Sequence, residues 1–261
     1  MQINRKLLHR QLYLSGMDEN AAALARTCSL GFEITTFCEA AAFDRPESWN
    51  AIESELHGLP RRRFHAPFAE LAPCAIDPLV RDVAMRRFRQ SLDAAARLGA
   101  DLLIIHDGFI PFVYFPAWFV PQSVKFWQEF LPHVPEGTRI ALENVMDPDP
   151  EMMIEIVKQV NDPRLGLCLD IGHANTCISH KPPLEWIAPM APYLFHAHLH
   201  NNDGSMDLHQ PLGEGTIPME DVLDTLLTLC PDATLTLENM NCTDSLRWLR
   251  SKNYLGDDID L

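Results

Sequence analysis

Eight short apolar runs, separated by longer stretches of helical periodicity, set the frame within which this 261-residue chain can fold. The runs fall at 11–14, 31–37, 62–65, 101–106, 139–143, 166–170, 194–200 and 234–238. Amphipathic stretches at 77–98, 122–131, 150–160, 219–229 and 243–249 alternate with them. Pro78 and Pro150 suit the first turn of a helix, where a missing N–H is tolerated, and Gly99 suits a helix stop. Strand alternating with helix builds βαβ units and a parallel sheet. Eight units in a chain close to the roughly 250 residues of a TIM barrel favour a closed α/β architecture, the (β/α)8 barrel. An open doubly wound sheet has no GxGxxG turn to support it. With no long linker, low-complexity segment or break in composition, residues 1–261 are expected to form a single domain.

Charge narrows the range of partners. Lys and Arg number 21 against 36 Asp and Glu, for a formal charge of −15. Affinity for a nucleic-acid backbone comes from basic side chains displacing condensed counterions, so this balance weighs against nucleic acid. The dense basic spots, Arg61 to Arg63 and Arg86 with Arg87, read as solvated surface, the first at the end of the barrel opposite the mouth. The seven cysteines (Cys28, Cys38, Cys74, Cys168, Cys177, Cys230 and Cys242) are odd in number, scattered and without a CxxC. They suit reduced thiols in a cytoplasmic protein better than a disulfide framework or a zinc finger. The N-terminal residues have no long apolar stretch after their basic ones, which argues against a signal peptide. The longest apolar run, 109–121, holds three prolines and falls short of a membrane span.

The ends of the runs carry the chemistry. In a (β/α)8 barrel the active site forms at the C-terminal ends of the strands. There this chain places Glu33, His65, His106, Glu143, Asp170 followed by His173, His198 with His200, and Glu238. Asp207 and His209 follow the seventh run. Of the eleven histidines, His9, His57, His133 and His180 alone lie clear of this region. His196, two residues before His198, faces the same interior but deeper, and reads as a hydrogen-bonded core residue; Cys168 reads as core filling below Asp170. Each group alone has a bland explanation: a satisfied polar residue, a salt bridge, an Asp and a His around a glycine turn. Together they crowd like charges at one mouth, which raises carboxyl pKa values or destabilises the fold unless a cation neutralises them. Carboxylate oxygens with imidazole nitrogens suit Mn, Zn, Mg, Co or Fe(II).

At these residues the chain resembles the xylose isomerase-like TIM-barrel superfamily, the sugar (phosphate) isomerases and epimerases together with endonuclease IV. The resemblance runs from about Gly31 to Glu238. It is carried by 140–145 (IALENV), 166–174 (GLCLDIGHA), 196–203 (HAHLHNND) and 207–217 (DLHQPLGEGTI). It implies one Mn or Mg ion held by Glu143, Asp170, His198 and Glu238, with His173 contacting substrate. Endonuclease IV adds ligands at the positions of His65, His106, Asp207 and His209 and holds three zinc ions. One divalent metal (Mn, Zn or Mg) is therefore expected, with up to three open. His200 and Glu33 are further candidates for metal or substrate contact. Many sugar isomerase-like members carry His-Asp-Asn after the seventh strand's histidine; this chain has His200-Asn201-Asn202-Asp203.

The activity this resemblance implies is metal-dependent isomerisation or epimerisation of a small sugar or sugar-like carbonyl compound through an enediolate. Glu143 and Glu238 would exchange the carbon-bound proton, and His173 would hydrogen-bond the oxyanion. The rival readings are a trinuclear zinc phosphodiesterase acting on abasic DNA and a non-catalytic sugar-binding barrel. The stretch 108–120 follows the fourth strand on the active face and is read as a pocket wall or as one half of a contact in a homo-oligomer.

Overall fold

The computed structural model describes Arg5, residues 8–176 and residues 178–256. Most of the N-terminal stretch read for a leader, and Cys177, lie outside the described residues. The first half of the chain runs α1 (Leu8–Gln11), β1 (Leu12–Ser15), α2 (Ala21–Thr27), β2 (Gly31–Ile34), α3 (Pro46–Glu55), β3 (Arg62–His65), α4 (Pro78–Leu98) and β4 (Leu102–His106). The second half runs α5 (Pro116–Phe130), β5 (Arg139–Glu143), α6 (Glu151–Val160), β6 (Leu165–Asp170), α7 (Pro183–Met190), β7 (Leu194–Leu199), α8 (Met219–Leu229), β8 (Thr234–Leu237) and α9 (Cys242–Ser251). Each strand pairs in parallel with the next, and β8 closes on β1, so the sheet is a (β/α)8 TIM barrel.

Local chemistry fixes the elements. Asp77 caps α4 by accepting from the Leu79 N–H at 2.8 Å, Pro78 occupies the first turn, and Gly99 ends the helix at φ 70°. Asn241 caps α9 in the same way through the Thr243 N–H. Strand positions match the apolar runs to within a residue except at β2. Gln11 belongs to α1, and β2 stops at Ile34, after which the chain turns so that Phe37 stacks among Phe43, Trp49 and Phe64.

The helices depart further. The amphipathic stretch at 122–131 begins instead at Pro116, with Pro121 inside the helix; its buried face of Phe119, Phe126, Trp127 and Phe130 outweighs the one lost backbone hydrogen bond. Pro150 caps α6 rather than opening it. The helices α2, α3 and α7 show little periodicity: α2 is a seven-residue alanine-rich stretch, α3 buries Ile52 alone among its ten residues, and α7 holds Pro189 within its eight.

Arg61 to Arg63 are not solvated surface. Arg62 donates to the carbonyls of Leu56, Leu59 and Leu98, and Arg61 to that of Ser29, tying off backbone at the barrel's lower end. Arg63 is buried in the barrel, paired with Asp101 and lying 4.6 Å from the centre of the Tyr13 ring. Above it Leu102, Ile104, Ala141 and Cys168 pack as an apolar plug, so Cys168 is core filling as read. Burial pushes its thiol pKa well up. Among the described residues no helix is long and apolar enough to cross a membrane.

Candidate metal centre and its apolar cavity

The last four strands deliver four side chains to one point. Glu143 ends β5, Asp170 ends β6, His198 is the penultimate residue of β7 and Glu238 follows β8. Nδ1 of His198 lies 3.0 Å from Glu143 Oε1, 3.3 Å from Glu238 Oε2 and 3.7 Å from Asp170 Oδ2. One donor atom from each of the four falls within 4.8 Å of all the others, and all four residues are buried. Burial alone would raise the carboxyls of Glu143 and Asp170. The charge of His198 on the first, and of His173 on the second, outweighs it and holds both well below the usual range. Glu238 goes the other way: burial raises it against the pull of His198, and the neighbouring carboxylates of Glu143 and Asp170 add to the rise.

Glu143 Oε2 is buried without a hydrogen-bond partner, facing His65 Nε2 at 3.2 Å and His106 Nε2 at 3.6 Å. Three carboxylates, one imidazole and an unsatisfied inward oxygen fit a divalent cation. The two oxygens of Glu143 also face different histidine groups, which suits a carboxylate shared between two ions. His106 is pushed down to about 3, by burial first and then by its histidine neighbours, so its ring is neutral and able to ligate.

On the other flank Asp207 Oδ2 lies 2.9 Å from His209 Nε2 and 3.2 Å from His173 Nε2. Burial opposes protonation of both rings, but the surrounding carboxylates, Asp170 foremost for His173 and Asp207 for His209, raise them to about 10 and about 9. His173 donates its Nδ1–H to the carbonyl of Asn144 at 2.8 Å, leaving Nε2 toward Asp207 and the mouth.

Two candidates stand behind the cluster. Glu33 is fully buried below it, with Oε1 3.1 Å from His198 Nε2 and Oε2 accepting from Thr236 at 2.6 Å. His196, lower still, meets Glu33 Oε2 at 3.2 Å and shares hydrogen bonds with Thr234 and Thr236, as its reading as a core residue expects. His200 sets Nε2 against both oxygens of Asp170, at 3.0 and 3.1 Å.

Several supporting residues escaped the sequence reading. A Cβ on Gly172 would lie 1.8 Å from the His200 ring, so only glycine leaves room for that imidazole against Asp170. The pair Glu-Asn recurs after two apolar runs, at 143–144 and 238–239, and both asparagines have a structural role. Asn144 bonds the backbone of Asp170 in both directions, at 2.8 and 3.0 Å, and Asn239 holds the carbonyl of Gln210 at 2.7 Å. Each Asn thus clamps the backbone beside its neighbouring ligand; the repeat itself was the visible signal. Asn201 ties Leu212 and Ile217 to the end of β7, and Asn202 donates to the carbonyl of Gly172.

A cavity of about 520 Å³ opens beside the cluster. Phe68, Leu71, Val80, Ile110, Tyr114 and Met146 form its walls, and His106, His173 and Asp207 face it from the metal-ligating side. The loop after β4 therefore supplies a pocket wall, one of the two roles read for 108–120.

The sequence profile of the xylose isomerase-like TIM barrel family matches residues 24–252, and the chain belongs to that family. Its similarity extends to MJ1311 of Methanocaldococcus jannaschii, 29% identical over 206 residues, covering 76% of this chain and 69% of that one. Among solved structures, a D-tagatose 3-epimerase-like protein superposes with a TM-score of 0.78 at 25% identity, covering 94% of this chain and 96% of the other. The TTHB071 protein from Thermus thermophilus, soaked with ZnCl2, does so with a TM-score of 0.77 at 27% identity, covering 94% and 99%.

Proposed function

We propose that the protein is a metal-dependent isomerase or epimerase acting on a small sugar or sugar-like carbonyl compound. The observation that carries this reading is the meeting of Glu143 and Glu238, from strands three apart, on one face of His198. Glu143, Asp170, His198 and Glu238 would hold the divalent ion, which when bound supplies Lewis-acid stabilisation to a carbonyl oxygen becoming an enediolate oxygen. The two glutamates divide the remaining work. One carboxylate would take the proton from the carbon next to the carbonyl, and the other, protonated beforehand, would deliver its own proton to the enediolate carbon, so that the two exchange protonation states over one turnover. His173, protonated between Asp170 and Asp207, donates from Nε2 to the developing oxyanion, a preorganised contact of the kind that dominates many active sites. A substrate group seated against the apolar cavity walls would displace water from that step. The thiols buried at Cys74, Cys168, Cys230 and Cys242 suit a reducing, cytoplasmic setting.

The test is washout of carbon-bound hydrogen into heavy water across a panel of ketoses and cyclic polyol ketones, with the protein loaded with Mn or Zn. Exchange that disappears in Glu143→Gln and Glu238→Gln while metal is retained supports the assignment. Retained metal with no exchange on any of them favours a sugar-binding barrel.

A second reading draws on the flanking histidines. His65 and His106 at Glu143, and His173 and His209 at Asp207, complete the nine groups with which endonuclease IV holds three zinc ions. A count of three ions per chain, with hydrolysis of an abasic-site duplex, would favour that phosphodiesterase reading.

A further inference from the structure

Resting on the isomerase reading, we infer that the substrate is an unphosphorylated hydroxy-carbonyl compound carrying an apolar group, aryl or alkyl, at the end remote from the four-donor cluster. The cavity has two unlike sides. Its inner side presents His106, His173 and Asp207, which can satisfy hydroxyls and a carbonyl. Its outer side presents Phe68, Leu71, Val80, Ile110 and Met146, with hydrogen-bonding side chains confined to Tyr114 and Glu70. A polyol chain reaching across it would turn several hydroxyls onto hydrocarbon, and a buried hydroxyl without a partner is unfavourable.

The outer walls are also exposed: Phe68, Val80, Ile110 and Met146 keep 40 to 43% of their surface. Burying that surface against an apolar substituent is the gain the cavity has to offer. Phe68 lies flat on His106, ring centres 4.4 Å apart and 17° from parallel, so the imidazole that faces the metal cluster continues into an aromatic platform.

A phosphate at the remote end meets no complementary charge. No Lys or Arg lines the cavity among the described residues, whereas Glu70 and Asp207 do. Four cations on the loops and helices leaving this end of the barrel have carboxylate partners: Arg45 with Glu39, Arg81 with Glu129, Lys181 with Glu151 and Arg247 with Asp244. The His173 imidazole of the inner side sits between the carboxylates of Asp170 and Asp207. A dianion would be held among carboxylates in a partly desolvated cavity, where like charges repel more strongly than in water.

Three hydroxamates sharing one chelating head test this directly: acetohydroxamate, benzohydroxamate and 4-phosphonobenzohydroxamate, titrated calorimetrically into Mn- or Zn-loaded protein. Benzohydroxamate should bind at least tenfold more tightly than acetohydroxamate, and the phosphonate should lose at least tenfold relative to benzohydroxamate. In the double variant Phe68→Ser, Ile110→Ser the phenyl advantage should fall to within threefold. A phosphonate that binds as tightly as benzohydroxamate, or a phenyl ring that brings no advantage, overturns the inference while leaving the metal centre and the isomerase reading intact. Failure of all three to bind loaded protein overturns the shared chelating centre, and the inference with it.

Discussion

Glu33 Oε1 and His198 Nε2 face each other 3.1 Å apart at the floor of the mouth, two buried atoms with no hydrogen-bond partner. The contact assigns the two nitrogens of His198 different tasks: Nε2 keeps its proton toward Glu33, and Nδ1 is left facing the three carboxylates. A carboxylate behind a metal-ligating imidazole fixes ring orientation and raises its basicity, and such groups are typically worth 10–100-fold in metal affinity. Glu33→Gln should therefore weaken Zn or Mn binding by about that factor, read by competition with a chromogenic chelator. Unchanged affinity would show that His198 needs no such support.

The acid–base roles predict a different pattern. Glu143→Gln and Glu238→Gln should each lower carbon–hydrogen exchange by ~10²–10⁴-fold, the usual contribution of a positioned general acid or base. The measurement is made at saturating metal, with bound metal quantified in the same samples, so that loss of the ion and loss of the proton carrier separate.

How far the sequence reached is clearest in these residues. Glu143, Asp170 and Glu238 were legible because each closes an apolar run, and His198 because it lies two residues from the end of its own. Glu33 lies within its run, and its period-two position does point it inward, but its height along the barrel axis is set by stagger. Glu33 pairs with Arg63, one inward step below His65, so it supports a ligand from beneath instead of reaching the mouth. No pattern within a single strand encodes that offset. Arg63 misled for the same reason: three consecutive arginines look solvated until the barrel closes over the middle of the inward row.

Gly172 gives a packing prediction. Gly172→Ala must move the His200 ring or the turn that carries Asp170, because the added carbon would lie 1.8 Å from that ring. Overpacking of this kind costs about 1–3 kcal/mol. The variant should unfold at lower denaturant concentration and bind metal more weakly, whereas a silent substitution would mean that His200 is free to leave Asp170.

Asp107 and Asp147 form a buried carboxyl pair behind the mouth, between the loops that follow β4 and β5. Each accepts one backbone N–H, from Phe109 and Val145, leaving Asp107 Oδ2 and Asp147 Oδ1 without further partners. Burial raises Asp147 to about 6, and burial together with the charge of Asp147 raises Asp107 well above its usual range. Because the folded state binds these protons more tightly than the unfolded chain, this pair's contribution to stability falls as pH rises above about 4, through about 6 for Asp147 and further for Asp107. Asp147→Asn, which supplies a neutral donor to Asp107, should stabilise the metal-free protein by about 1–3 kcal/mol at pH 7.5. The gain should vanish below about pH 4, as urea unfolding across that range would report. A pH-independent difference would contradict the raised carboxyls.

The account depends most on a cation gathering Glu143, Asp170, His198 and Glu238, and metal stoichiometry tests this most directly. Elemental analysis after dialysis against limiting Zn or Mn should find at least one tightly held ion per chain in the native protein. It should find that ion lost in His198→Ala, with the fold preserved by circular dichroism. Native protein that emerges metal-free, or a His198→Ala variant that retains the full complement, would contradict it.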